Sequence, residues 1–242
     1  MAPDLIRFDA VVAGYGALTI LNELSFAVRA GEITLLIGPN GAGKSTVLKA
    51  LFGLLAPRGG EIHCKGRPVG GFSPAAMLRA GVAFVPQGRN LFPSLSVRHN
   101  LELGAITLPA ADRRARFAEA LARFPGLQSR IDNQASTLSG GEQKQLEIAR
   151  ALQLRPDVLL IDEPSIGLSP IVNQQVFALL RALADGGTTI LMVEQNVRAA
   201  LAVSDRVLLL EGGRLMLDSP ADTLLADPDL NRVFLGKAVA AQ

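Results

Sequence analysis

Apolar residues in this chain gather in short, dense runs. Residues 33–37, 158–161 and 207–210 are each four or five positions long, nearly unbroken in hydrophobicity, and bounded by Gly, Pro or charged residues. A strand with one wet face alternates apolar and polar positions, so unbroken runs predict strands covered on both faces, as in a parallel sheet flanked by helices. Residues 5–12, 24–28 and the stretch from Gly59-Gly60 through Ile62 to Val69 read as further β structure, with Gly14, Gly16 and Gly31 marking turns. The run 82–85 predicts a strand that stops at Pro86.

The period changes between residues 88 and 156. Segments 112–124 and 140–154 carry helical spacing, with Leu146, Ala149 and Arg150 three to four positions apart. Beyond Pro156, strands at 158–161 and 188–193 alternate with helices at 171–184 and 197–203. Two strands, 207–210 and 215–217, then turn at Gly212-Gly213, and a helix and a short Ala-rich tail follow. The expected architecture is α/β: a mainly parallel sheet, an N-terminal antiparallel β subdomain and an inserted α-helical subdomain. Residues 1–242 are read as one domain, with 1–87 and 157–242 as the core and 88–156 as the helical part.

Composition narrows the class. Of 242 residues, 49% are hydrophobic and 19% charged, enough apolar mass for a full core and too little charge for disorder. The mean hydropathy of +0.30 raises the question of a membrane span, but no apolar run approaches the roughly 20 residues a spanning helix needs. The net charge of +2, with Asp112 and Glu119 around the cluster Arg113, Arg114 and Arg116, predicts a solvated helix face and no nucleic-acid partner. A lone cysteine, Cys64, rules out an intrachain disulfide and fits a reducing compartment. The first residues lack a basic stretch before an apolar core, so no secretory signal is expected. His63 and His99 read as surface residues.

The candidate chemistry begins after the run 33–37. Gly38, Pro39, Asn40, Gly41, Ala42, Gly43, Lys44, Ser45 and Thr46 form a complete phosphate-binding loop, G-x-x-x-x-G-K-[ST]. Its glycines let backbone N–H groups turn toward phosphate oxygens, and the following helix adds its positive end. Lys44 supplies a point charge for the β and γ phosphates of ATP, and the Ser45 hydroxyl a ligand for Mg²⁺. Downstream, the run 158–161 ends in Asp162 and Glu163, where open α/β sheets bind ligands. Asp162 would hold Mg²⁺ and Glu163 would polarise the attacking water. By itself, two acids after a strand are equally an ordinary strand-to-loop transition.

A third element, Leu138, Ser139, Gly140, Gly141 and Glu142, reads as a capped helix start with bare backbone N–H groups, a second anion site. Together with the order of phosphate loop, glutamine loop, this L-S-G-G-[EQ] string and the acidic strand, it makes the chain similar to the ABC (ATP-binding cassette) ATPases over nearly its whole length. The resemblance implies a P-loop NTPase core and a head-to-tail dimer. In that dimer the residues 138–142 of one protomer complete the ATP site of a second ABC ATPase subunit, identical or different. It assigns Gln87 to the glutamine loop, sensing Mg²⁺ and touching a membrane subunit, with a plainly buried or solvated glutamine as the alternative. It assigns Tyr15 to stacking on adenine, against ordinary packing.

Two positions depart from the family. Ser169 stands where many cassettes have aspartate. Gln195 follows Glu194 where a switch histidine is usual, and its amide can hydrogen-bond the γ-phosphate but cannot titrate. The strings G-L-S-P, V-E-Q-N and V-P-Q-G-R-N-L-F-P-S-L-S-V resemble ATPases of branched-chain amino-acid and amide or urea importers. That likeness implies two integral membrane permease subunits, a periplasmic substrate-binding protein and a peripheral position on the cytoplasmic face of the inner membrane. The Leu91-Phe92 pair, apolar in a loop, is expected to be exposed for a membrane subunit. The competing reading is a soluble ABC ATPase not coupled to transport. Against it, the chain lacks the long heptad insertion of repair-type members and the second cassette of translation-type members. Glu163 speaks against a regulator without catalysis.

Overall fold

The computed structural model describes residues 4–88 and 90–226. In chain order the elements are β1 (Asp4–Tyr15), β2 (Leu18–Arg29), β3 (Ile33–Ile37), α1 (Lys44–Leu51), β4 (Gly59–Cys64), β5 (Arg67–Pro68), α2 (Pro74–Arg79) and β6 (Val82–Val85). Then come α3 (Val97–Gly104), α4 (Ala110–Arg123), α5 (Pro125–Gln128) and α6 (Gly140–Ala151). The chain continues through β7 (Val158–Asp162), α7 (Pro170–Asp185), β8 (Thr189–Val193), α8 (Val197–Leu201), β9 (Arg206–Glu211), β10 (Arg214–Pro220) and α9 (Ala221–Ala226).

Two sheets organise these elements. Strands β2-β1-β4-β5 form an antiparallel sheet, and β10-β9-β3-β8-β7-β6 form a second, in which only the β9–β10 pair is antiparallel. The unbroken apolar runs are explained by what lies on each face. On β3, Ile33, Leu35 and Ile37 enter one core cluster and Leu36 the other; on β7, Leu159 and Ile161 face one way and Val158 and Leu160 the other. The first cluster packs against α6, α7 and α8, the second against α1 and the antiparallel sheet. Every residue of β3, β7 and β8 is buried, and each large aliphatic side chain so placed contributes about 1.5–3 kcal/mol relative to exposure. Across β1 and β2, Phe8 and Phe26 stack with centroids 4.5 Å apart.

Element ends depart from the sequence reading where a turn intervenes. The first helix ends at Leu51, because Gly53 takes φ +78° and approaches the carbonyl of Phe72 too closely for a Cβ. The helix expected over 140–154 passes into a 3-10 turn at Leu152–Leu154, ended by Arg155 in a left-handed conformation. Helix α3 was not read from the sequence; Ser96 caps it by accepting from the His99 N–H at 3.2 Å. His99 is exposed as expected, but His63 is half-buried on β4, between Asp9 at 3.4 Å and Glu61 at 3.3 Å. The Ala-rich tail lies outside the described residues.

Candidate functional site

The phosphate loop runs from the end of β3 to the start of α1. Glycine is required at Gly38, where a Cβ would meet the Leu210 carbonyl oxygen at 2.1 Å, and at Gly43, where φ is +103° and a Cβ would lie 2.9 Å from Leu21. Gly43 is also the N-cap of α1, with no side chain to accept from the first-turn N–H groups. Those donors are left for an anion. Lys44 is buried, and its ammonium donates to the carbonyls of Gly38 at 2.7 Å and Pro39 at 3.0 Å. Burial pulls its pKa down while Glu163 and Asp162 pull it back up.

Strand β7 carries the acids to the same edge. Asp162 is 2% exposed, and its Oδ1 has no hydrogen-bond partner. Burial raises its carboxyl pKa, against a hydrogen bond from Ser45. An orphaned carboxylate oxygen beside a serine hydroxyl is the donor set a Mg²⁺ ion takes from a protein when phosphates supply other ligands. No cluster of three or more His, Cys, Asp or Glu among the described residues offers an alternative metal site. Ser45 and Asp162 therefore fit the ion.

Glu163 adopts φ +50° and donates its N–H to Val193 O at 2.9 Å. Its carboxylate accepts from Gln87 Nε2 at 2.5 Å on one oxygen and from Gln195 Nε2 at 2.6 Å on the other. The amide of Gln195, assigned from sequence to the γ-phosphate, is thus engaged with the neighbouring acid. Glu194, which the sequence reading passed over, is 2% exposed and accepts from the N–H groups of Ser165, Gln195 and Asn196. It ties the turn that follows Glu163 to the loop after β8. Its acidic type beside Gln195 was the available signal.

These parts converge on a cleft of about 320 Å³, lined by Asn40, Gly41, Gly43, Lys44, Ser45, Thr46, Gln87, Glu163, Gln195 and Ile20. Ile20 was not anticipated, because an isoleucine in a strand signals packing. Tyr15 does not line the cleft. It stands at the end of β1, 46% exposed, with Lys49 Nζ 6.0 Å from its ring centre. If the ring stacks on a base, Tyr15→Ala should weaken ATP and GTP binding alike, by about 1–3 kcal/mol, since every base offers a π face. Tyr15→Phe should bind as the parent does. Titration of a fluorescent nucleotide would decide it; equal affinity of Tyr15→Ala and parent returns the residue to packing.

Residues 138–142 do not line the cleft either. Ser139 and Gly140 are exposed at the start of α6, and Leu138 and Gly141 are buried. Ser139 and Glu142 form a reciprocal capping box: Glu142 Oε2 accepts from the Ser139 N–H and hydroxyl, each at 2.8 Å. These bonds hold the Glu142 carboxyl below the usual range. Gly141 has a packing reason as well, since a Cβ would sit 2.5 Å from Val172 Cγ1. Ser169 is the N-cap of α7 without a side-chain cap bond.

Two other concavities lie away from the acids. An apolar groove of about 330 Å³ lies between β6 and α3, bordered by Phe84, Phe92, Leu103 and Ile106, with Phe92 51% and Ile106 58% exposed. The expected exposed pair is thus half right: Leu91 turns inward against the core, and only Phe92 stands out. A larger cleft, about 700 Å³, opens between α4 and the start of β7 beside Arg116, Arg123 and Arg155. It contains none of the candidate residues.

Residues 21–166 match the family model described as ABC transporter. The chain is similar to the high-affinity branched-chain amino acid transport ATP-binding protein BraG of Pseudomonas aeruginosa, at 40% identity over 96% of this chain and 100% of that protein. It is also similar to a probable branched-chain amino acid transport ATP-binding protein, LivF, of Archaeoglobus fulgidus, at 36% identity over 96% and 99%. Among solved structures, the ADP conformation of an ATP-binding cassette of an ABC transporter superposes with a TM-score of 0.85 at 25% identity, covering 97% of this chain and 100% of that one.

Proposed function

Because the chain belongs to the ABC transporter ATP-binding family, it binds and hydrolyses ATP to power transport, and we propose that it serves an importer of branched-chain amino acids or related amides and urea. The observation that supports the site most directly is the convergence of the phosphate loop, Gln87, Glu163 and Gln195 on one cleft, with the orphaned Asp162 oxygen buried behind Ser45. The importer assignment rests on the BraG and LivF likeness.

In the proposed reaction, the bare N–H groups at the start of α1 and the glycine-rich loop hold the phosphates. Lys44 turns its ammonium from the loop carbonyls to the β and γ phosphates. Ser45, Asp162 and Gln87 would hold Mg²⁺, which would supply charge neutralisation at the phosphates. Glu163 releases an amide donor and takes the attacking water's proton contact, orienting it in line. Gln195 keeps that arrangement in register. Exposed Ser139 and Gly140 close the γ-phosphate side of a partner's site, in a head-to-tail dimer with a second cassette, identical or different. Two membrane permease subunits, and through them a periplasmic binding protein, complete the assembly at the cytoplasmic face of the membrane. No helix among the described residues is long and apolar enough to span a bilayer.

The apolar groove beside Phe92 is the surface we assign to a cytoplasmic segment of the permease, since apolar side chains so exposed on a loop mark contact sites. Phe92→Asp should leave the ATPase of the isolated chain within about twofold, as surface changes usually do. It should abolish co-purification with the membrane subunits and, in proteoliposomes, ATP-driven leucine uptake. Undiminished assembly would move the interface elsewhere; an assembled parent that transports amides or urea but not leucine would correct the substrate.

A further inference from the structure

The cleft of about 700 Å³ beside Arg116, Arg123 and Arg155 takes no part in the ATP site, and none of its lining residues borders the phosphate loop. One wall is α4. Arg116, Glu119, Ala120 and Arg123 recur at three and four positions, so the helix turns them to one face. The rest of the lining comes from the turn after α6, with Leu152, Gln153 and Arg155, and from the loop between α7 and β8.

Three arginines against one glutamate leave this cleft a surplus of two positive charges. Glu119 accepts from Arg116 Nη1 at 3.1 Å, from Arg155 Nε at 3.2 Å and from Arg155 Nη2. A guanidinium carries five N–H donors, so both arginines keep donors in reserve. Arg123 has no hydrogen-bond or ion-pair partner among the described residues. Its place in the last turn of α4 complements the helix's C-terminal partial charge, but that engages none of its donors.

A solvated arginine face would account for those side chains, but not for Gln153. It is 2% exposed, its Oε1 has no partner, and its Nε2 reaches the Ala149 carbonyl only at 3.4 Å. An amide acceptor buried without a donor is a standing cost, and few proteins carry many. Here it borders a cavity from which a donor can come.

We infer that this cleft is a second ligand site, built for the phosphate monoester of a small sugar or polyol. Such an ester carries nearly two negative charges at pH 7, which match the surplus. Guanidinium groups bind phosphate oxygens in bidentate fashion. Arg123 and the uncommitted donors of Arg116 and Arg155 take the phosphate. The weakly held Gln153 amide turns its Oε1 to a ligand hydroxyl. The volume lies in the range of small-molecule pockets and exceeds what inorganic phosphate fills.

The test is equilibrium binding of ribose 5-phosphate, glycerol 3-phosphate and glucose 6-phosphate to the isolated chain, with excess Mg-ADP filling the phosphate loop. At least one ester should bind saturably, one per chain, and raise the melting temperature. Arg123→Gln should weaken that ester and inorganic phosphate alike by about tenfold, the scale of one charge-assisted hydrogen bond. Gln153→Met keeps the volume and removes the orphaned acceptor. It should weaken the ester by about fivefold and leave inorganic phosphate unchanged, without lowering the melting temperature of the free protein. Both variants should hydrolyse ATP within about twofold of the parent, since they stand outside its cleft. Failure of all three esters to bind overturns the site, as does binding that Arg123→Gln leaves intact. Inorganic phosphate held as tightly as the esters, with Gln153→Met silent, would reduce the cleft to an unspecific anion patch and overturn the monoester assignment. Earlier melting of Gln153→Met would make its amide structural and strike the hydroxyl contact.

Discussion

Replacing Glu163 by glutamine should slow ATP hydrolysis by about 10²–10⁴-fold, the usual worth of a general base, while ATP affinity changes little. The structure gives the reason the two quantities should part. Glu163 touches neither the loop glycines nor Lys44 by hydrogen bond; its carboxylate is occupied by the amides of Gln87 and Gln195. A glutamine at position 163 keeps one acceptor oxygen and gains one donor. One of the two neighbours then turns its amide over, and the local bonding survives. What is lost is the negative charge that polarises water. Single-turnover hydrolysis and nucleotide binding, measured on the same preparation, separate these effects. A parental rate in Glu163→Gln would assign the base elsewhere.

Gln195→Ala should cost the assembled transporter roughly 10²-fold in hydrolysis, the scale on which a misplacement of about 1 Å is felt, again with ATP still bound. Gln195 holds one oxygen of Glu163 at 2.6 Å and lines the cleft where the γ-phosphate is expected. Without it the carboxylate can swing on a single remaining amide. Gln195→His should keep much of the activity, because the ring nitrogen reaches a comparable distance. It should also add something the parent lacks. The chain has two histidines, His63 and His99, and neither lines the cleft. The parental rate should therefore show no imidazole step, whereas Gln195→His should acquire one near pH 6.5. The partner cassette's own site must be inactivated for the assay. Full activity of Gln195→Ala would make the position a spectator, or this site the non-hydrolysing one of an unequal pair.

The phosphate loop was legible because its demands are local. Gly38 and Gly43 are dictated by backbone conformation and by close neighbours, and such constraints appear in the string itself. The two-faced strands were legible for a similar reason, since burial on both sides leaves an unbroken apolar run. The pairing of Gln87 and Gln195 with Glu163 was not, because it depends on strand order. Glu163 follows β7, Gln87 follows β6 and Gln195 follows β8, and β7 lies between those two in the sheet. Neighbouring strands deliver the amides to either side of the acid across sequence separations of 76 and 32. No local pattern states which strands are neighbours. The same holds for Leu91, whose inward turn is set by the core cluster it packs against.

Glu163 sits at a backbone angle, φ +50°, that suits glycine or asparagine far better than a glutamate. For a side chain of this kind the conformation is disfavoured by about 1–2 kcal/mol. Glycine there would relieve that strain but forfeit the hydrogen bonds from Gln87 and Gln195, worth about 0.5–1.5 kcal/mol each. The two amides that flank the base thus also hold its backbone in an unfavourable angle, and stability alone gives little incentive to replace it.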